Sequence, residues 1–371
     1  MISLSDPVLG EEEKRALCEV IDSGWLTMGE RVASFEKAFA QLHGVDDAVA
    51  VNSCTAALHL SLTALDIGPG DEVMVPSVTF VATVNAVLYL GATPVFVDIK
   101  ELDTPHISRD DAKAKCTTKT KAVIVMHYGG YPAEVDAWRR LCDENGMLMI
   151  EDAAHAPGIG MVGRLSDAAS FSFFTNKNMS TAEGGMIFAR KASVLQRLRH
   201  MRAHGMSTDT LTRHRGHAYS YDVSMLGYNY RLDELRAAMG LMQLKRLPTL
   251  NKRRSELCHL YRQLLAAQIP ELVVPFDNKR ETAAHLMPVL LPPKINRNAI
   301  MQQLRDDGIQ TSIHYPPVHQ FTYYQERFPF VQLPKTENFC ARELTLPLHP
   351  SLTEDDVEWV VDSLRKAIYK S

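Results

Sequence analysis

Through the first two thirds of the chain, short apolar runs alternate with stretches whose apolar residues recur at helical spacing. The runs 48–52 (AVAVN), 72–76 (EVMVP), 93–99 (TPVFVDI), 121–127 (KAVIVMH), 147–152 (MLMIED), 169–174 (ASFSFF) and 185–189 (GMIFA) have strand length and are rich in apolar residues. Between them, 55–66 (TAALHLSLTALD) and 134–145 (EVDAWRRLCDEN) predict helices. Near-continuous apolar strands alternating with helices predict a mostly parallel sheet covered on both faces. Ligands of such sheets sit beyond the carboxyl ends of the strands. Asn52, His127, Asp152 and the 175–178 loop all fall at or after such ends.

From about residue 231 the pattern changes. RLDELRAAMGLMQLKRL predicts an amphipathic helix and TLNKRRSELCHLYRQLLAAQ a second one, with Pro248 marking the junction. Shorter segments follow: 285–291 (HLMPVLL), a helix near 297–307, 311–317 (TSIHYPP), and a final helix after Leu352 that Thr353 and Asp356 cap reciprocally. This pattern predicts a large domain over 1–250 and a smaller α+β domain over 251–371. The charge-free stretch 73–97 is long enough to cross a bilayer. It contains Pro76, Asn85, Gly91 and Pro94, and reads better as strand, helix and strand, so no membrane span is expected.

Composition narrows the class. Of 371 residues, 46% are hydrophobic, which is ample for a core. The formal net charge of −4 argues against a nucleic-acid partner held mainly by charge. The basic stretch 196–216 reads equally as a solvated helix and loop or as a patch for a small anion. The six cysteines are scattered without a CxxC pair, as expected of reduced thiols in a cytoplasmic protein. The opening MISLSDPVLGEEEK has no apolar segment of the kind a signal peptide needs.

Several polar residues at the strand ends are candidates for chemistry. Lys177, in FFTNKN, can form a Schiff base with a carbonyl if its pKa falls; most loop lysines are simply solvated. Asp152 closes MLMIED and can hold a pyridinium nitrogen protonated, or equally cap a helix. The two together point to pyridoxal phosphate (PLP), whose electron-sink chemistry needs both partners. Ser53, Cys54 and Thr55 open a helix, where free N–H groups favour a phosphate, although plain N-capping uses the same residues. Ser172, five residues before Lys177, can add a hydroxyl. Phe80 can stack on a flat ring or belong to the core, and His155 can touch a ring hydroxyl or serve a local turn. Asn229 and Arg231, in GYNYRLDE, can bind phosphate or carboxylate. His314 and His319 flank a diproline, which disfavours helical metal ligation, and no metal is expected.

Taken in order and spacing, these segments resemble the DegT/DnrJ/EryC1/StrS family, the sugar aminotransferases of PLP fold type I. The resemblance runs nearly end to end, through GWLTMGERVASFEKAFA, NSCTAALHLSL, GPGDEVMVPSVTFVATVNAV, EDAAHAPG, FSFFTNKNMSTAEGGM, GYNYRLDELRAAMGLMQL, HYPPVH and LTLPLHPSLTEDD. It implies an aspartate aminotransferase-like fold: a large, mixed, mostly parallel sheet sandwiched by helices, with a smaller α+β C-terminal domain. By resemblance, Lys177 is the Schiff-base lysine, Asp152 the pyridinium partner, Phe80 the stacking aromatic and His155 a ring-oxygen contact. Ser53, Thr55 and Ser172 match the phosphate cradle. Asn229 matches an asparagine that reaches the phosphate in a neighbouring subunit, which implies a homodimer with shared sites. His314, Tyr315 and His319 match a segment bordering the sugar.

The implied activity is amino transfer from glutamate, which leaves as 2-oxoglutarate, to a nucleotide-linked keto-sugar. Alternatives are a non-nucleotide ketone such as a cyclitol, or a regulatory member of the fold. The loop IGMVGRLSDAAS is shorter than in similar family members, and the polar stretch 204–223 is expected to cover the nucleotide.

Overall fold

The computed structural model describes residues 1–207, 222–277 and 280–370, so most of the 204–223 stretch lies outside the described residues. Two helices, α1 (Glu11–Ser23) and α2 (Glu30–His43), precede an alternating series. It runs β1 (Val49–Val51), α3 (Cys54–Ala64), β2 (Glu72–Pro76), α4 (Val81–Tyr89), β3 (Thr93–Val97), β4 (Ile99–Glu101), β5 (Thr104–Ile107) and α5 (Arg109–Lys115). It continues with β6 (Thr120–Met126), α6 (Val135–Asn145), β7 (Leu148–Asp152), β8 (Ala168–Ser172), β9 (Gly185–Ala189) and α7 (Ala192–Met201). The C-terminal part contains α8 (Glu234–Gln268), β10 (Met287–Leu290), α9 (Arg297–Asp306), α10 (Thr322–Arg327), α11 (Pro334–Arg342), β11 (Glu343–Leu346) and α12 (Glu354–Lys370).

Seven strands form the main sheet in the order β1-β9-β8-β7-β6-β2-β3. The pairs β2–β3, β2–β6, β6–β7 and β7–β8 are parallel, while β9 is antiparallel to both β8 and β1. The reason is local. The ten-odd residues after Ser172 are polar and too few for a crossover helix, so the chain turns back as a hairpin. Lys177 sits in that turn, which is held by Thr181 N–H to Phe173 O (2.9 Å) and Lys177 N–H to Phe174 O (2.9 Å). The expected run 93–99 is divided after Val97. There Asp98 bonds the Ile99 N–H (2.9 Å) and caps α11 through the N–H groups of Lys335 (3.1 Å) and Thr336 (2.7 Å), so the chain bends into β4.

Pro248 does not break the chain into two helices. It lies inside the 35-residue α8, which carries through residue 250. A proline removes one helical hydrogen bond, but both halves of α8 are anchored. Leu244 and Leu247 pack with Phe35, Phe39 and Phe173 under the main sheet. Leu257, Tyr261 and Leu265 pack with Val357, Val360 and Leu364 of α12 and with the β10–β11 pair. The start of α8 also organises α2. Buried Glu234 accepts the N–H groups of Gly29, Arg31 and Val32, each at 2.9 Å, and so satisfies a helix end whose own residues supply no side-chain cap. At the last helix, Thr353 and Asp356 form the expected reciprocal cap.

Candidate active site

The carboxyl ends of the parallel strands open onto a cavity of about 550 Å³. Ser53, Cys54, Thr55, Phe80, Asp152, His155, Ser172 and Lys177 all line it, together with His314 and Tyr315. Residues spread over more than half the chain therefore converge because β7, β8 and the start of α3 end at one level.

Asp152, the last residue of β7, is almost fully buried. Its Oδ2 accepts from Thr83 Oγ1 (2.7 Å), which lies 2.7 Å from Thr79 Oγ1, and its Oδ1 accepts from Ala154 N–H (3.2 Å). Burial raises its pKa; the bonds from Thr83 and Ala154 and the charge of Lys177 oppose the rise. A cation at the open side of this carboxylate would be strongly held. Among the described residues lining the cavity, Lys177 is the only lysine or arginine. Desolvation lowers its pKa to about 8, against smaller opposing effects of Cys54 and Asp152. An appreciable fraction of its amine is thus unprotonated near neutral pH, as a lysine that attacks carbonyls requires.

At the other end of the cavity, Ser53 caps α3 and accepts the Ala56 N–H at 3.1 Å. Ser172 Oγ accepts the Phe174 N–H at 3.4 Å. Each hydroxyl uses acceptor capacity locally and keeps its proton to donate. With the first-turn N–H groups of α3, they form a donor-rich end suited to a phosphate. Gly185 permits the close approach: a Cβ there would lie 2.6 Å from Ser53 O and 2.9 Å from Cys54 N.

His155 is buried, and its pKa is pushed well below the ordinary value, mainly by desolvation. Its Nδ1 accepts the Gly129 N–H (3.2 Å), so the ring proton sits on Nε2, 3.0 Å from the Tyr315 hydroxyl. Phe80 exposes 57% of its surface, unusual for an apolar residue beside a core, and its ring centroid is 6.2 Å from that of Tyr315.

Three expected site residues lie elsewhere. His319 does not line the cavity; its Nδ1 bonds Ser77 Oγ (2.8 Å) and its Nε2 bonds Glu337 (3.2 Å), so it ties the segment to the sheet. The chain turns between His314 and His319, and the two rings have separate partners. Asn229 and Arg231 also do not line this cavity. They run beside the sheet edge, where Arg231 bridges Val51 and Asn229 is exposed. In turn, Thr83, Asn176, Phe174, Glu183 and Ser312 belong to the site or its support and were not singled out from the sequence. Thr83 carried a faint signal, a hydroxyl four residues after Thr79 in the largely apolar stretch TFVATVNAV.

The donor set fits PLP. It offers an amine of lowered pKa, a sheltered carboxylate and a hydroxyl-rich helix start around one opening, with an exposed aromatic ring at its wall. Among the described residues no group of three or more His, Cys, Asp or Glu side chains is placed to hold a metal ion, and no helix is long and apolar enough to cross a membrane.

Fold and cavity together define a PLP-dependent aminotransferase. Residues 7–365 match the DegT/DnrJ/EryC1/StrS aminotransferase family, and the chain belongs to that family. It is 40% identical over 375 residues to the spore coat polysaccharide biosynthesis protein SpsC of Bacillus subtilis, covering 98% of this chain and 96% of SpsC. Among solved structures it is similar to Helicobacter pylori PseC, an aminotransferase involved in the biosynthesis of pseudoaminic acid, at 31% identity and TM-score 0.93 over 100% of both chains. It is also similar to the putative sugar aminotransferase Spr1654 of Streptococcus pneumoniae in its PMP form, at 29% identity and TM-score 0.92 over 100% of both chains.

Proposed function

We propose that the protein transfers an amino group from glutamate to a nucleotide-linked keto-sugar, giving an amino sugar for surface polysaccharide or secondary-metabolite synthesis. The observation that carries this reading is the pairing of Lys177 and Asp152 on one cavity in a chain 40% identical to a polysaccharide-biosynthesis protein. The similarity to PseC supports a sugar as acceptor.

PLP, when bound, supplies the electron sink that makes the α-proton of the amino donor removable. Lys177 Nζ would shift that proton within the first half of the cycle, taking it from the donor carbon and passing it on before the keto acid leaves, and would run the same shift in reverse in the second half, which its lowered pKa allows. Asp152, oriented by Thr83 and Ala154, holds a proton at the pyridine nitrogen. Ser53, Cys54, Thr55 and Ser172 bind the phosphate, Phe80 covers the ring, and His155 orients it at the ring oxygen. His314 and Tyr315 bind substrate, His319 borders it only through its segment, and Asn229 and Arg231, both outside their own subunit's cavity, reach the phosphate and the substrate in a partner subunit of a cytoplasmic homodimer. Residues 1–250 form the cofactor-binding unit, and the smaller 251–371 unit brings His314 and Tyr315 over it.

Purified protein with glutamate and a panel of UDP-, dTDP- and GDP-linked 3- and 4-keto-sugars tests the reading by release of 2-oxoglutarate. Turnover of one sugar class, lost in Lys177→Ala together with the cofactor absorbance, is expected. Turnover only of free cyclitol ketones, or steady-state turnover retained by Lys177→Ala, refutes it.

A further inference from the structure

His314 is held at three of its atoms. Its N–H donates to Glu343 Oε2 at 2.8 Å, its carbonyl accepts from the Tyr128 hydroxyl, and its Nδ1 lies 2.9 Å from Thr345 Oγ1. The same threonine hydroxyl is 2.6 Å from Glu343 Oε1. Glu343 and Thr345 are buried on β11 and do not line the cavity, whereas His314 does. Among the described residues the Nε2 of His314 has no hydrogen-bond partner, yet it is not one of the buried unpaired atoms. It is therefore open to a ligand.

A threonine hydroxyl has one proton and donates to one neighbour at a time. When Glu343 is ionised, both its oxygens only accept. The Thr345 hydroxyl then donates to Oε1, Nδ1 must carry the ring proton, and Nε2 is bare. When Glu343 is protonated, Oε2 still accepts the His314 N–H, so the proton sits on Oε1 and is donated to Thr345. The hydroxyl then turns to Nδ1, and the ring proton sits on Nε2.

We propose that Glu343, acting through Thr345, decides which nitrogen of His314 carries the proton, and so whether Nε2 meets the keto-substrate as a donor or an acceptor. Glu343 and Thr345 are on this account positioning residues. The functional meaning rests on the reading of this cavity as a keto-sugar site; the proton's position on the ring does not.

The surroundings of Glu343 favour such a device. Burial pushes its pKa up to about 8, opposed by the bonds from Thr345 and His314 and by Arg297 of α9. The other titratable groups near it are Cys340 of α11, Tyr128 and Tyr315, all of which burial shifts upward and keeps neutral. Burial, with the nearby Lys177 charge, lowers the pKa of His314 itself to about 4, so its ring is neutral across the same range. Below about pH 8 the ring presents Nε2–H; above it, a bare Nε2.

The test is nitrogen NMR of the holoenzyme labelled with ¹⁵N-histidine, the His314 signals being assigned by their loss in His314→Gln. In the wild type the proton moves from Nε2 to Nδ1 between about pH 6.5 and about 9.5. In Glu343→Gln the amide oxygen must accept the His314 N–H, so its NH2 faces Thr345 and locks the ring as Nε2–H at every pH. Thr345→Val removes the pH response and Thr345→Ser restores it. The KM for the keto-substrate rises about five- to tenfold across the transition in the wild type, as for one lost hydrogen bond, and is flat in Glu343→Gln. The same protonation pattern and pH response in wild type, Glu343→Gln and Thr345→Val overturns the proposal. Thr345→Val alone suffices if Glu343→Gln does not fold. Because the NMR readout needs no sugar, it decides where the ring proton sits even if no sugar of the panel is turned over.

Discussion

Gly185→Ala separates cofactor binding from general stability. Gly185 pairs with Val51 of β1 and Ser172 of β8, and so lies between the two elements that carry the donor-rich end of the cavity. An added Cβ would meet Ser53 O at 2.6 Å, against 3.4 Å for ordinary contact, so one side must retreat by 0.8 Å. The contact atoms, Ser53 O and C and Cys54 N, are backbone and cannot rotate away. Overpacking of this kind costs about 1–3 kcal/mol of stability. The start of α3 moves away from β9, and charge-assisted bonds to a phosphate worth about 1.5–3 kcal/mol each are lengthened. PLP binding should weaken by roughly ten- to a hundredfold. Titration of apo-protein with PLP, read by absorbance, gives the affinity, and thermal melts of apo and holo forms give the stability. The apo form is expected to lose a little and the holo form more. Gly68→Ala, where an added Cβ meets nothing within 4 Å, is the matched control. A Gly185→Ala protein that binds PLP within twofold of wild type, with equal losses in apo and holo melts, would refute the reasoning.

Further expectations follow from single contacts. The rate of PLP capture by the apo-protein should rise with pH through an inflection near 8, because Lys177 is reactive only above its lowered pKa; an inflection near about 10, the ordinary lysine range, would contradict the desolvated amine. Thr83→Val removes the 2.7 Å bond that orients Asp152, and kcat should fall about tenfold while PLP stays bound. Wild-type kcat in that variant would show that Thr83 is structural filler. Glu234→Ala strips three N–H groups of α2 of their acceptor. Urea unfolding should report a loss of about 3 kcal/mol; a loss under about 0.5 kcal/mol, the ordinary surface range, would mean that water replaces the cap.

The strands of the main sheet were legible in the sequence because burial on both faces leaves near-continuous apolar runs. EVMVP and GMIFA coincide with β2 and β9, and the other runs differ from their strands by a residue or two at an end. Asp152, Lys177 and Ser53 stood out because each is polar at the end of such a run, where no core position explains it. The continuity of α8 was not legible. A proline predicts a break from local chemistry, and only cores on both sides of Pro248 override it. The placement of the His319 ring was not legible for a similar reason: spacing along a chain that turns between two histidines says nothing about where each ring faces.

The sequence by itself determined which segments are strands and helices, which polar residues stand at their ends, and through these the family. Local periodicity and strand-end chemistry carry that information within a few residues. The tertiary structure alone decided that Thr83 orients Asp152, that Gly185 lets β9 approach the start of α3, that Glu234 caps α2, and that Glu343 reaches His314 through Thr345. Each of these is a contact between residues far apart in the chain. No local period encodes them, and they exist only once the packed sheet has fixed the distances.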